Sequence, residues 1–207
     1  MAPDFDPILI VVGLALIGGA VAAVLLKWKK KKSEPVQAPT PQYRDSTPMP
    51  KGDPAGTNGG PGLALKDWYR RHPKDAIVGG ALQRTKMTSA VWAKMLDAFQ
   101  EVKATNRYVP EGPGQDFSEM PANTGDCSHF FIFFKRALVE RGVPPTCIRA
   151  ATCLTARGRH HIVCTMDTTE GTYIFNRADH QPLPWRETNY TRWIREYVDQ
   201  WYWVEMG

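Results

Sequence analysis

Between Asn123 and Gly142 the chain has little choice but to form a helix. Thr124 or Asp126 can cap its N-terminus, because a short oxygen-bearing side chain accepts from the first unpaired backbone N–H groups. Gly142 suits the left-handed stop, and Pro144 and Pro145 forbid continuation. Within these limits Cys127, Phe130, Phe131, Phe134 and Leu138 fall at i, i+3, i+4, i+7 and i+11. That spacing predicts one apolar stripe with a cysteine in its first turn. A second helix is expected upstream, capped by Thr88 or Ser89, with Val91, Trp92, Met95, Leu96, Phe99 and Val102 at helical spacing. Glu111 to Gln115 reads as a loop.

Downstream the pattern changes to strands. Cys147–Thr155, His161–Met166 and Thr172–Asn176 are short runs rich in β-branched, aromatic and Cys residues. Asp167–Gly171 separates the last two as a hairpin turn. Tyr190–Trp203 reads either way: Trp193, Tyr197 and Trp201 sit at helical spacing, while 201–204 also suits a closing strand. Helices followed by an antiparallel sheet make an α+β domain over 63–207.

The other end of the chain is of a different kind. After a short flank (1–7), Ile8–Leu26 is an uninterrupted run of 19 uncharged residues. As a helix it is about 28 Å long, close to the hydrocarbon thickness of a bilayer. A cleaved signal peptide is the rival, with Ala20-Val21-Ala22 as its cleavage site. The flank, however, carries Asp4 and Asp6 and no basic side chain, and the apolar run continues past that site into lysines. The segment therefore reads as a retained single-pass helix. The basic cluster 27–32 follows it directly, so the positive-inside rule places the C-terminal side in the cytoplasm. Residues 33–62 hold seven prolines and five glycines and read as a linker.

Charge and cysteine content narrow the function. The formal net charge is +5, of which the first 62 residues supply +2, so 63–207 is only mildly basic, with 19 Lys+Arg against 16 Asp+Glu. That is poor support for a nucleic-acid partner, and none is expected. Four cysteines without a Cys-x-x-Cys pair exclude a disulfide scaffold, and the P-loop, kinase and dinucleotide glycine patterns are absent. A zinc site built from Cys127, His129, His160 and His161 matches no common ligand spacing. Cys147, Cys153 and Cys164 lie in strand-like runs and read as core.

Cys127 is the exception, because a helix N-terminus favours a thiolate. An imidazole from His160 or His161 would complete the activation. If residues 167–170 form a four-residue loop, Met166 pairs with Gly171 and His161 falls opposite Asn176 on one face. Cys127, His161 and Asn176 would then be nucleophile, base and orienter. A one-residue slip would select His160 instead.

Several blocks resemble the bacterial transglutaminase-like cysteine peptidases. Asn106-Arg-Tyr108 is similar to the family's N-x-Y segment. Thr124-Gly-Asp-Cys127, followed by Lys135, Leu138 and Arg141-Gly-Val-Pro144, resembles its G-D-C helix. His161-Ile-Val-Cys164 and Ile174-Phe-Asn-Arg177 resemble its two site strands. The resemblance implies a papain-like fold and a triad of Cys127, His161 and Asn176. The family usually has Asp at the position of Asn176. Its calcium-binding members carry acidic residues where this chain has Ser128 and His129. A hard cation wants six to eight oxygens, so no metal and no cofactor is expected.

The expected function is a membrane-anchored cysteine peptidase acting on a peptide or isopeptide amide of a protein or peptide substrate. Candidate oxyanion donors are the Cys127 backbone N–H and the side chains of Asn123 and Gln115. The alternatives are acyl transfer to an amine by the same triad, and a non-catalytic tethered interaction module.

Overall fold

The computed structural model describes residues 46–55, 62–76, 83–110, 117–197 and 201–204. The apolar run 8–26 with its flanks, linker residues 33–45 and 56–61, and Gln115 lie outside them. Among the described residues no helix is long and apolar enough to cross a membrane.

The helices precede the sheet, as the sequence predicts for α2 (Ser89–Thr105) and α3 (Cys127–Glu140), and a further helix, α1 (Gly62–Arg71), comes before them. Thr88 caps α2, its Oγ1 accepting from the Val91 N–H at 3.1 Å. Asp126 rather than Thr124 caps α3. Gly142, at φ +80°, takes the left-handed turn that ends it. Between α2 and α3, β1 (Arg107–Tyr108) and β2 (Thr124–Gly125) pair in parallel and bring the chain to the start of α3.

Six strands follow: β3 Ile148–Leu154, β4 His160–Thr168, β5 Gly171–Phe175, β6 Leu183–Pro184, β7 Thr191–Glu196 and β8 Trp201–Trp203. They form an antiparallel sheet in the order β6-β5-β4-β3-β7-β8. Alternate residues face opposite ways. On one face Ile148, Ala150, Cys164, Met166, Tyr173 and Phe175 pack against the stripes of α2 and α3. On the other, Ala151, Cys153, Val163 and Ile174 pack against Trp185 and Trp193.

A buried polar chain fixes α3 on this sheet. The Lys135 ammonium donates to Tyr69 Oη at 3.3 Å, and that hydroxyl donates to Glu196 Oε2 at 3.3 Å. The Ala150 N–H donates to the same carboxylate oxygen at 3.1 Å. Burial lowers the Lys135 pKa and raises that of Glu196, each partly offset by the other's charge.

One open reading resolves and two sequence expectations change. Among the described residues, Tyr190–Trp203 takes the strand reading, with β7 and β8. A spacing of four is even, so it fits one face of a strand as well as a helix. Part of the expected linker binds the domain: Gly52 N–H donates to Trp203 O at 2.8 Å, Trp185 Nε1 donates to Thr47 O at 2.8 Å, and Met49 is buried. The hairpin register is the other correction. Thr168, not Met166, pairs with Gly171, leaving the two-residue loop Thr169-Glu170. Asp167 stays in the strand because Thr172 Oγ1 donates to its Oδ1 at 2.8 Å and Arg195 holds its Oδ2 at 2.9 Å. Gly171, at φ +125°, closes the tight turn where a Cβ would lie 2.3 Å from the Ser46 backbone.

Candidate active site

The register correction moves β5 by two residues against β4. Val163 then falls opposite Asn176, and His161 lies two residues further along. An even shift keeps both side chains on one face, and the diagonal is short enough for long side chains to bridge. His161 Nε2 lies 3.1 Å from Asn176 Oδ1. The pair inferred from the sequence therefore exists, although the register that suggested it does not.

The orientation of the amide follows from its other contacts. Asn176 Nδ2 donates to Tyr190 Oη at 2.6 Å, and the Ala178 N–H donates to Oδ1 at 3.4 Å. Oδ1 is thus the acceptor, so His161 Nε2 carries hydrogen and Nδ1 keeps a lone pair. Burial lowers the His161 pKa, a shift that the Asn176 hydrogen bond and the charge of Asp179 oppose. Burial also raises the Asp179 carboxyl, against a hydrogen bond from Asn176. Neither Tyr190 nor Asp179 was marked by the sequence. Tyr190 also packs edge-on to the His161 ring, with centroids 5.6 Å apart.

Cys127 opens α3 and lines a cleft of about 400 Å³ together with His161 and Asn176. Phe130, Tyr108 and Tyr190 form its apolar walls, and His160, Arg159 and Arg177 also line it. The other cysteines are free thiols buried in the core, and burial raises them all, Cys153 to about 12. His160 is exposed at the start of β4.

Of the oxyanion candidates, Gln115 lies outside the described residues. Asn123 is exposed, at φ +62°, and lines a separate depression shared with Trp68, Glu119 and His129. The structure does not bring it to Cys127. Cys127's own backbone N–H, in the first turn of α3, is at the site by construction.

Asp126 caps α3 by accepting at Oδ1 from the Ser128 N–H at 2.8 Å, the Ser128 hydroxyl at 2.6 Å and the His129 N–H at 3.4 Å. Burial opposes its ionisation, but the hydrogen bonds from His129 and Ser128 outweigh it, and its carboxyl lies below the usual range. These donors do not fit calcium. One carboxylate, with Oδ1 already taking these hydrogen bonds, and one hydroxyl fall far short of six to eight oxygens. Among the described residues no cluster of His, Cys, Asp and Glu is able to hold a metal ion.

The sequence profile of a family described as bacterial transglutaminase-like cysteine proteinase (BTLCP) matches residues 61–207. Three solved structures of LapG from Legionella pneumophila are similar. The calcium-bound form has TM-score 0.48 at 13% identity, covering 70% of this chain and 80% of that one. A second LapG structure has TM-score 0.46 at 15% identity, covering 70% and 80%. The EGTA-treated form has TM-score 0.47 at 14% identity, covering 70% and 77%. No curated protein matches the chain significantly.

Proposed function

The chain belongs to the bacterial transglutaminase-like cysteine proteinases, a family of cysteine peptidases, and from that premise we propose that Cys127, His161 and Asn176 are its catalytic machinery. The observation that supports this is the His161–Asn176 contact in the cleft that Cys127 lines. With Nε2–H held by Asn176, His161 Nδ1 takes the proton of the Cys127 thiol. The thiolate attacks the carbonyl carbon of a substrate amide, and the negative oxygen that forms is met by the Cys127 backbone N–H. His161 returns the proton to the leaving amine, and the C–N bond breaks to give a thioester. Water, deprotonated by His161, then attacks the thioester and releases the acid, and the thiolate recovers its proton.

Substrates are protein or peptide segments. Arg159 and Arg177 line the cleft, and no Asp or Glu lines it among the described residues. The Arg177 guanidinium lies 5.3 Å over the Phe130 ring. Such a cationic lining selects segments with an acidic residue near the scissile bond.

In this reading, residues 8–26 anchor the enzyme in a membrane as a single-pass helix, with the peptidase domain on the cytoplasmic side. The carbonyl-attack scheme is tested by mass spectrometry of new protein termini produced by the enzyme, against a Cys127→Ala control. Termini that appear equally with the control would overturn it. The placement is tested by adding protease outside intact cells, which should spare the domain. External digestion of the domain would reverse the assigned orientation.

A further inference from the structure

His129 follows the proposed nucleophile by two residues and is only 3% exposed. Each of its ring nitrogens meets an acceptor. Nε2 lies 2.6 Å from the Ser118 carbonyl oxygen. A carbonyl can only accept, so Nε2 carries hydrogen. Nδ1 lies 3.1 Å from Asp126 Oδ1 and 3.3 Å from Ser128 Oγ. The Ser128 hydroxyl has a single hydrogen, and the 2.6 Å contact directs it to Asp126 Oδ1. Both neighbours of Nδ1 therefore present lone pairs to it, and Nδ1 carries hydrogen as well. A ring with both nitrogens protonated is a cation.

We propose that His129 is an imidazolium that serves as a built-in counter-cation to Asp126 and so positions and protects the charge state of Cys127. This rests on Cys127 being the nucleophile. Asp126 Oδ2 lies 3.9 Å from Cys127 Sγ. An uncompensated carboxylate at that distance disfavours a thiolate. The imidazolium on Oδ1 cancels that field and keeps the helix cap intact. Glycine at position 125 lets α3 come this close: a Cβ there would lie 2.2 Å from His129 Cβ and 2.6 Å from its Cγ. Trp68 closes over the ring edge-on at 5.7 Å. A cation supplied by the chain in this place also accounts for a site whose oxygens do not fit calcium.

Other charged groups stand on both sides. On the His129 side, Glu119 of the preceding loop pairs with Arg71 and His72 of α1 and its end, and Arg136 of α3 pairs with Asp75. On the Cys127 side stand Tyr108, Arg159, His160, His161 and Arg177, all lining the cleft. Asp126 is the carboxylate that both His129 and Cys127 touch.

The test uses the full-length chain and reads iodoacetamide alkylation of Cys127 against pH by peptide mass mapping. His129→Gln should move the midpoint upward by about one pH unit, roughly a tenfold loss of rate below the midpoint. Adding Asp126→Asn should bring the midpoint back, which a purely structural role for His129 would not do. An unmoved midpoint in His129→Gln, or a shift that Asp126→Asn leaves in place, would overturn the proposal. Should His129→Gln fail to fold, the wild-type protein still decides: ¹⁵N-detected imidazole spectra at neutral pH should show His129 protonated on both nitrogens, and a neutral tautomer there would overturn it. This readout is independent of Cys127 chemistry, so it separates failure of this proposal from failure of the peptidase mechanism.

Discussion

Replacing Asn176 by aspartate puts a carboxylate where the structure has a neutral acceptor 3.1 Å from His161 Nε2. Asn176 is only 5% exposed, so the new charge needs partners. Three are in place. His161 Nε2–H and the Ala178 N–H already donate to this side chain, and Tyr190, now an acceptor at 2.6 Å, can turn its hydroxyl to donate. Burial raises Tyr190 to about 12, so it keeps its hydrogen across any assay range. An opposite charge in contact favours a protonated imidazole by roughly 1–3 pKa units. The sign follows directly. Burial now depresses His161, and a carboxylate would raise it, so the limb of kcat/KM that reports protonation of His161 should move up by about 1–2 pH units. At neutral pH the rate should stay within a few-fold of the parent. Asn176→Ala instead leaves His161 Nε2–H and the Tyr190 hydroxyl without this partner. Loss of a hydrogen bond to a charged group costs about 1.5–3 kcal/mol, or roughly 10- to 150-fold in kcat/KM. The assay is kcat/KM from pH 5 to 10 on a cleaved peptide, with circular dichroism to confirm the fold. A folded Asn176→Asp enzyme with a downward shift, or a hundredfold loss, would refute the assigned orienter.

His161→Ala should abolish turnover while His160→Ala costs less than about threefold, since His160 is exposed and His161 alone reaches Asn176; the reverse order in steady-state assays would transfer the base to His160. Chelators should leave activity unchanged, because Asp126 Oδ1 already takes protein hydrogen bonds and Ser128 and His129 beside it supply no carboxylate, and inhibition reversed by calcium alone would contradict that. Arg159→Glu combined with Arg177→Glu should lower kcat/KM for a peptide with glutamate beside the scissile bond by about tenfold or more relative to its lysine counterpart; equal effects on both peptides would remove the cationic lining from substrate selection.

Helices α2 and α3 were legible because their signals are local. Thr88, Asp126 and Gly142 act within one turn, and the apolar stripe of α3 repeats at a fixed period. The sheet was legible in content but not in register. The position of Asp167 depends on Arg195 and Thr172, and the Arg195 contact is invisible along a short window. Parity rescued the His161–Asn176 pair, since a shift of two preserves the face. Tyr190 was hidden for the same reason as Arg195: it comes from a distant segment, and aromatic residues near the C-terminus give no sign of which one will turn towards a histidine. The segment 46–55 reads as linker because its prolines and glycines lack an apolar period, yet its backbone groups pair with β8 and its Met49 fills a core gap. Asn123, named as an oxyanion candidate, has φ +62° and lines another depression.

The central claim is that Cys127 alone among the four cysteines is an activated nucleophile. It is tested most directly by brief iodoacetamide treatment of the native full-length protein at neutral pH, with each cysteine quantified by peptide mass mapping. Cys127 should be alkylated at least about a hundredfold faster than Cys147, Cys153 and Cys164, whose thiols burial raises. That advantage should collapse in His161→Ala, and alkylation should run in step with loss of peptidase activity. A Cys127 no faster than the buried three, or one whose reactivity is indifferent to His161, would contradict the account.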